Sequence, residues 1–199
     1  MFKRITAPET MPVSVPDLLE HLRQDDEGQE ALLTTLIRTA YQQAEHLTGR
    51  PLLPQTWKYT ARGFPRQRPQ PGQYVEWGKA PFHQGHIKLM PDLTAVTSVT
   101  YTDPLGVQQT LASDAFYLDG RRIYPVGCWP QTQWDTPVVV TFDCGYFAAD
   151  DDVSSLCCWM KLFAATLYEN AEVNQPGKQI LLPRDFVNGL LDPYLLVEA

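Results

Sequence analysis

Four cysteines, Cys128, Cys144, Cys157 and Cys158, and four histidines, His21, His46, His83 and His86, are the side chains of this sequence best suited to nucleophilic or metal chemistry. No two cysteines form a CxxC pair, so neither a zinc ribbon nor a dithiol redox centre is written in their spacing. His83 and His86 stand three apart and could form one edge of a metal site if Cys128 or Cys144 folded over them. That set matches no recognised ligand spacing. Cys157 and Cys158 are adjacent inside an apolar helical pattern and read as small buried hydrophobes. The even count would permit two bridges. The N-terminus MFKRITAPETMPV, however, has a basic start with no apolar stretch behind it, which argues against a signal peptide and for reduced thiols.

The other catalytic signatures are missing. There is no glycine-rich dinucleotide or phosphate-binding loop, no HExxH helix and no GxSxG elbow. Two acidic clusters, Asp25-Asp26-Glu27 and Asp150-Asp151-Asp152, each stand before an expected helix. Negative charge there complements the free N–H groups and the helix dipole, so capping is a sufficient account of both. The residues therefore point to no enzyme, no cofactor and no metal. A small hydrolase with an assembled Cys/His site would need Cys128 or Cys144 within hydrogen-bond reach of a histidine.

The elements that would carry these residues follow from periodicity. Ser14 opens a capping box with Asp17, Pro16 fits the first turn, and Leu18, Leu19 and Leu22 give a short helix to about Gln24. Leu32, Leu33, Leu36, Ile37, Ala40, Ala44 and Leu47 draw one apolar stripe over a second helix from about Asp26 to Thr48, which Gly49 stops and Pro51 keeps stopped. Residues 1–13 read as an extended arm. From Pro54 the period changes to strands: 56–60, 86–89, 96–101, 107–111, 116–118, 122–124 and 138–142, with turns at Asp103-Pro104-Leu105-Gly106 and Asp119-Gly120. A long helix is expected from Val153 to Asn170, and a short terminal one among Phe186, Leu190, Tyr194 and Leu195. Residues 61–80, rich in Pro, Arg, Gly and aromatics, form a loop of a length that is usually functional or mobile.

At 199 residues the chain can bury a core without cross-links. Its 17 prolines and 12 glycines are too many for an all-helical bundle, and no apolar run is long enough to span a membrane. The formal charge of −7 makes the whole chain a poor non-specific nucleic-acid binder. That charge is uneven. Residues 50–90 hold seven basic side chains and one acidic, Glu76, whereas residues 1–30 hold seven acidic and three basic, and residues 150–199 eight acidic and three basic. A basic centre between acidic ends suits contact between copies, basic loop against acidic helix start. The candidate interface residues are Arg62, Phe64, Arg66, Arg68, Tyr74 and Trp77 on one side and Asp25, Asp26, Glu27, Asp150, Asp151 and Asp152 on the other. The alternative is a nucleic-acid-binding accessory protein that uses Arg62, Arg66 and Arg68 with Phe64 and Trp77 for phosphate contact and base stacking.

One block resembles a known family. Val15-Pro16-Asp17-Leu18-Leu19-Glu20-His21-Leu22-Arg23-Gln24-Asp25, Glu30-Ala31-Leu32-Leu33, Ala40-Tyr41-Gln42-Gln43-Ala44-Glu45 and Thr48-Gly49-Arg50-Pro51-Leu52 resemble the opening of head–tail connector proteins of tailed bacteriophages. Further pieces fit: Leu53 to Trp57, Val96 to Tyr101 with Gly106, Val138 to Phe142 with Gly145-Tyr146, Leu167 to Asn170, and Leu190-Leu191-Asp192-Pro193-Tyr194. The chain departs from that pattern at Leu156-Cys157-Cys158-Trp159 and over residues 61–80. The resemblance implies an α+β fold with a helical connector core, made of two N-terminal helices and a long C-terminal helix, carrying a β-rich insertion. The expected divisions are 1–53 for the arm and helical pair, 54–147 for the insertion, and 148–199 for the closing helices. It further implies a structural adaptor of the subfamily with a β-rich insertion, in a phage or prophage virion at the head–tail junction, assembled in the host cytoplasm. Its partners would be further copies in a ring, the portal protein and a tail-completion or stopper protein. DNA would pass through the ring without sequence-specific binding, and no membrane is involved. Negative charge on a channel wall would keep passing DNA from sticking.

Overall fold

Ser14 starts the first helix as its sequence requires. Its Oγ accepts from the Asp17 N–H at 3.2 Å, and the Asp17 carboxylate accepts in return from the Ser14 N–H at 3.0 Å and from its hydroxyl. These bonds hold the Asp17 carboxyl below the usual carboxylate range. In this computed structural model, which describes residues 1–24, 27–65, 85–148, 151–169 and 188–196, that helix is α1, Val15–Leu22. Arg23 ends it in the left-handed region, φ 55°, and the Arg23 and Gln24 N–H groups cap the carbonyls of Glu20 and Leu19.

Helix α2, Glu30–Thr48, follows a 3-10 turn at Glu27–Gln29. It buries Leu33, Ile37, Ala40, Tyr41, Ala44 and Thr48. Gly49 closes it at φ 71°, donating to the Glu45 carbonyl. The Glu45 carboxylate then fixes the exit, accepting from the Tyr41 hydroxyl at 2.7 Å and the Leu52 N–H at 3.2 Å. Helix α3, Ser154–Glu169, buries Leu156, Trp159, Met160 and Ala164, with Trp159 stacked on Phe163 at 4.9 Å. These helices belong to a unit made of residues 8–52 and 147–199, whose core includes Leu18, Leu33, Ile37, Tyr41, Leu52, Leu156, Trp159, Met160 and Leu191. Its last described turn, a 3-10 helix at Asp192–Tyr194, lays Tyr194 edge-on against Phe147 at 5.0 Å.

Residues 1–7 and 53–146 make a second unit, whose described residues are all β in regular structure apart from one 3-10 turn, Ser113–Ala115. Its strands are β1 Phe2–Thr6, β2 Gln55–Ala61, β3 Ile87–Lys88, β4 Leu93–Thr102, β5 Gln108–Thr110, β6 Phe116–Asp119, β7 Arg122–Pro125 and β8 Val138–Cys144. Five form an antiparallel sheet in the order β1-β2-β8-β4-β5; three form a second in the order β3-β7-β6. Strand β8 shows why the first sheet has one dry face: Val138, Val140, Phe142 and Cys144 are buried, while Val139, Thr141 and Asp143 alternate with them at partial exposure. Phe64, Ile87, Leu89, Val99 and Ile123 complete this core.

The expected helical connector core does not fit this architecture. The described residues hold three α-helices against eight strands in two antiparallel sheets, and α3, with 16 residues, is shorter than α2, with 19. The sheets are no graft on a helical body, because the N-terminal arm itself supplies β1. Its Phe2 lies opposite Tyr59 with ring centroids 4.7 Å apart, and the terminal ammonium donates to the Thr60 carbonyl.

Candidate interaction surfaces

Charge in this protein follows the division into units. The sheet unit carries ten basic and seven acidic residues, net +3, whereas the helical unit carries six and sixteen, net −10, together the −7 of the chain. Each unit therefore presents a field of its own sign, and opposite fields on one chain favour association of unlike faces between copies.

Of the residues named from sequence on the basic side, Arg62 is exposed in the turn after β2. Phe64 is only 8% exposed and belongs to the sheet core, its ring stacked on Trp129 at 4.6 Å and edge-on to Tyr101 at 5.5 Å. The Trp129 indole N–H donates to the Gly85 carbonyl at 2.7 Å, so Phe64 and Gly85 share Trp129 as a neighbour. Arg66, Arg68, Tyr74 and Trp77 lie outside the described residues, as do Asp25, Asp26, Asp150 and His83. On the acidic side, Glu27 opens the 3-10 turn before α2. Asp151 and Asp152 are exposed just before α3. Asp152 accepts from the Ser154 N–H at 2.9 Å and from its hydroxyl, and those bonds lower its pKa; Asp151 accepts from the Ala148 N–H at 2.7 Å.

Both aspartates border an open cavity of 530 Å³, lined also by His21, Val153, Ser154, Cys157, Cys158 and Lys161. Burial pushes the Cys157 thiol above its ordinary pKa, against an opposing pull from Lys161, and its Sγ donates to the Pro12 carbonyl at 3.2 Å. That is the reverse of an activated nucleophile. Cys144 is buried and Cys128 exposed. Among the described residues no group of three His, Cys, Asp or Glu side chains could hold a metal ion, and no helix is long and apolar enough to cross a membrane.

Two surfaces were not foreseen in the sequence. At the β4–β5 turn, the Asp103 carboxylate accepts from the N–H groups of Leu105 and Val107 and from the Gln109 amide. It thereby presents Leu105, 89% exposed, while the Gln133 N–H bonds to the Thr102 carbonyl and leaves the neighbouring Trp134 94% exposed. The second is the outer face of the three-stranded sheet. Tyr117 and Tyr124 are cross-strand partners stacked at 5.4 Å, His86 lies 5.2 Å from Tyr124, and Arg122 stands opposite both Lys88 and Asp119.

No protein-family model matches the chain, and no curated protein does. Solved structures do. The chain is similar to one in the neck of an empty gene transfer agent (GTA) particle with C6 symmetry, at 20% identity and a TM-score of 0.70. It is likewise similar to a chain in the virion of a native GTA particle, at 19% identity and 0.69, and to one in a native GTA neck with C12 symmetry, at 20% and 0.64. Each likeness covers 100% of this chain and 97% of the other. At such identity the likeness establishes a common fold.

Proposed function

We propose that this protein is a structural head–tail connector subunit of a phage or phage-like particle, without enzymatic activity, which forms a ring between portal and tail. The observation that carries the reading is the end-to-end match to chains of a GTA particle neck. The N-terminal block from Val15 to Leu52 supports it independently, since it resembles phage connectors in sequence. Portal protein on one side and a tail-completion or stopper protein on the other are the partners to test. Ring closure needs two different complementary faces on each subunit, and the +3 and −10 units supply surfaces of opposite sign. Arg62 of the basic stretch and Asp151 and Asp152 at the start of α3 are exposed and available for such contacts. The predominantly negative helical unit suits a wall past which DNA slides, because each added cation would create a phosphate contact to be broken.

The test is co-expression with the portal and tail proteins of the same particle, followed by native mass spectrometry and electron microscopy. Recovery in a portal-bound ring supports the reading, and failure to join either partner under assembly conditions refutes it. A DNA-binding titration across salt concentrations separates the accessory-protein alternative, which requires affinity that falls steeply with salt.

A further inference from the structure

We infer that the outer face of the three-stranded sheet is the surface by which one copy grips the next, and that it seats at the acidic cavity beside the start of α3 of that second copy. The inference rests on the connector reading for its biological setting, but the contact itself is a property of the isolated chain. The face is built by register. Antiparallel pairing of β6 with β7 puts Tyr117 opposite Tyr124 and Asp119 opposite Arg122; pairing of β3 with β7 puts Lys88 opposite Arg122. Period two then sends Ile87 and Ile123 into the core and leaves His86, Lys88, Tyr117, Arg122 and Tyr124 on the other side. Tyr117 is 53% exposed although its ring is already ordered by stacking on Tyr124, so little rotamer freedom remains to be lost on docking. Tyrosine and arginine are the residues most enriched at the centres of protein interfaces.

Charge selects the occupant. On this face Lys88 and Arg122 outnumber the carboxylate of Asp119, and the net −10 helical unit of a second copy is the complementary surface the chain itself provides. On that unit the cavity of 530 Å³ is concave, and Asp151 and Asp152 line it as exposed carboxylates. Asp152 in particular stays ionised at neutral pH, its proton disfavoured by the two bonds from Ser154. His21 and Lys161 are the basic groups that face the same cavity. An incoming Arg122 pairs with Asp151 at the rim, and Tyr117 covers the adjoining apolar lining. The arrangement joins unlike surfaces, so it propagates from copy to copy as a ring requires.

The experiment is photo-crosslinking of the full-length chain carrying p-benzoylphenylalanine in place of Tyr117, at about millimolar concentration so that weak contacts are populated. The expected result is copy-to-copy crosslinks that map to residues 15–24 and 151–161. Arg122→Glu lowers their yield about tenfold, Asp151→Arg does the same, and the double variant, with the charges exchanged, recovers most of it. Circular dichroism verifies the fold of each variant, and Arg122→Gln replaces Arg122→Glu if the latter fails to fold. Absence of copy-to-copy crosslinks, crosslinks confined to the sheet unit, or a yield indifferent to Arg122 overturns the inference. So does salt-sensitive binding of a DNA duplex that Arg122→Glu abolishes, since the face would then belong to nucleic acid. A chain that joins portal and tail but gives no Tyr117 crosslinks leaves the connector reading intact and removes only this contact. One that crosslinks as described but joins neither partner does the opposite.

Discussion

Gly145 follows β8 and ends in a close approach to the start of β2. A Cβ built there would lie 2.8 Å from the Pro54 nitrogen and 2.9 Å from both the Leu53 carbonyl carbon and the Pro54 Cα. All three are backbone atoms, so no side chain can rotate away. Its φ is not in the left-handed region, and the requirement for glycine here is therefore one of space alone. Gly145→Ala must push apart the two segments that flank the β2–β8 pairing. Overpacking of this kind costs about 1–3 kcal/mol. The same shift strains the 3.0 Å bond from the Gly145 N–H to the Asp92 carbonyl, adding about 1 kcal/mol. A total of about 2–4 kcal/mol corresponds to a fall of about 4–16 °C in Tm for a chain of this size. The control is Gly63→Ala, where the added Cβ meets only the Thr132 hydroxyl at 3.9 Å and stability should stay within about 0.5 kcal/mol of the parent. Thermal and urea unfolding followed by circular dichroism and tryptophan fluorescence give both values. If Gly145→Ala is as stable as Gly63→Ala, the close approach is wrong and so is the packing of β8 against the entry to β2.

Phe64→Ala removes a core ring stacked on Trp129 and should cost about 3–4 kcal/mol in unfolding experiments; a neutral effect would mean that Phe64 acts at a surface instead. Ser14→Ala deletes the helix cap of α1 and should destabilise by about 1 kcal/mol, read from the urea midpoint. Asp17, Asp103 and Asp152 all have pKa values lowered by hydrogen bonds in the folded state. Their contribution is present above the unfolded carboxylate pKa and disappears as pH falls through the lower folded values, so acid titration should show stability declining below about pH 4. Iodoacetamide should modify exposed Cys128 and Cys158 well before Cys144 and Cys157, whose thiols are buried or raised in pKa; mass spectrometry of partially labelled protein would reveal the order.

Local chemistry carried the elements that were legible in advance. The Ser14–Asp17 capping box, the stop at Gly49 and the apolar strand at 138–142 are each settled within a few neighbouring residues, and all three are present as expected. Helix α2 ends at Thr48 as expected but starts at Glu30, after a 3-10 turn, and not near Asp26; Leu32 and Leu47 fit the apolar stripe yet remain partly exposed, because periodicity counts positions and does not know how wide the covering surface is. Strand β1 escaped because its five residues show no alternation of burial; its identity comes from pairing with β2, more than fifty residues away. The helical core with an insertion comes from the resemblance instead, and eight strands in two antiparallel sheets among the described residues replace it.

The surfaces were harder still. Phe64, in an arginine-rich stretch, looks like an exposed aromatic until Trp129 and Tyr101 are placed around it from distant strands. Lys88, Tyr117, Arg122 and Tyr124 look scattered until the register of β3, β6 and β7 puts them on one face. The uneven charge was visible from counts along the chain. Only the division into units showed that the sign changes at Ala7, Leu52 and Tyr146, where the chain passes between sheet and helices.

The most direct test of the connector assignment is an electron cryomicroscopy reconstruction of the neck assembled from this protein, its portal and its tail partner. The expected result is a closed ring of copies between the two, with the sheet unit of each copy against the helical unit of its neighbour. A neck that assembles without this protein, or density for it anywhere other than between portal and tail, would contradict it.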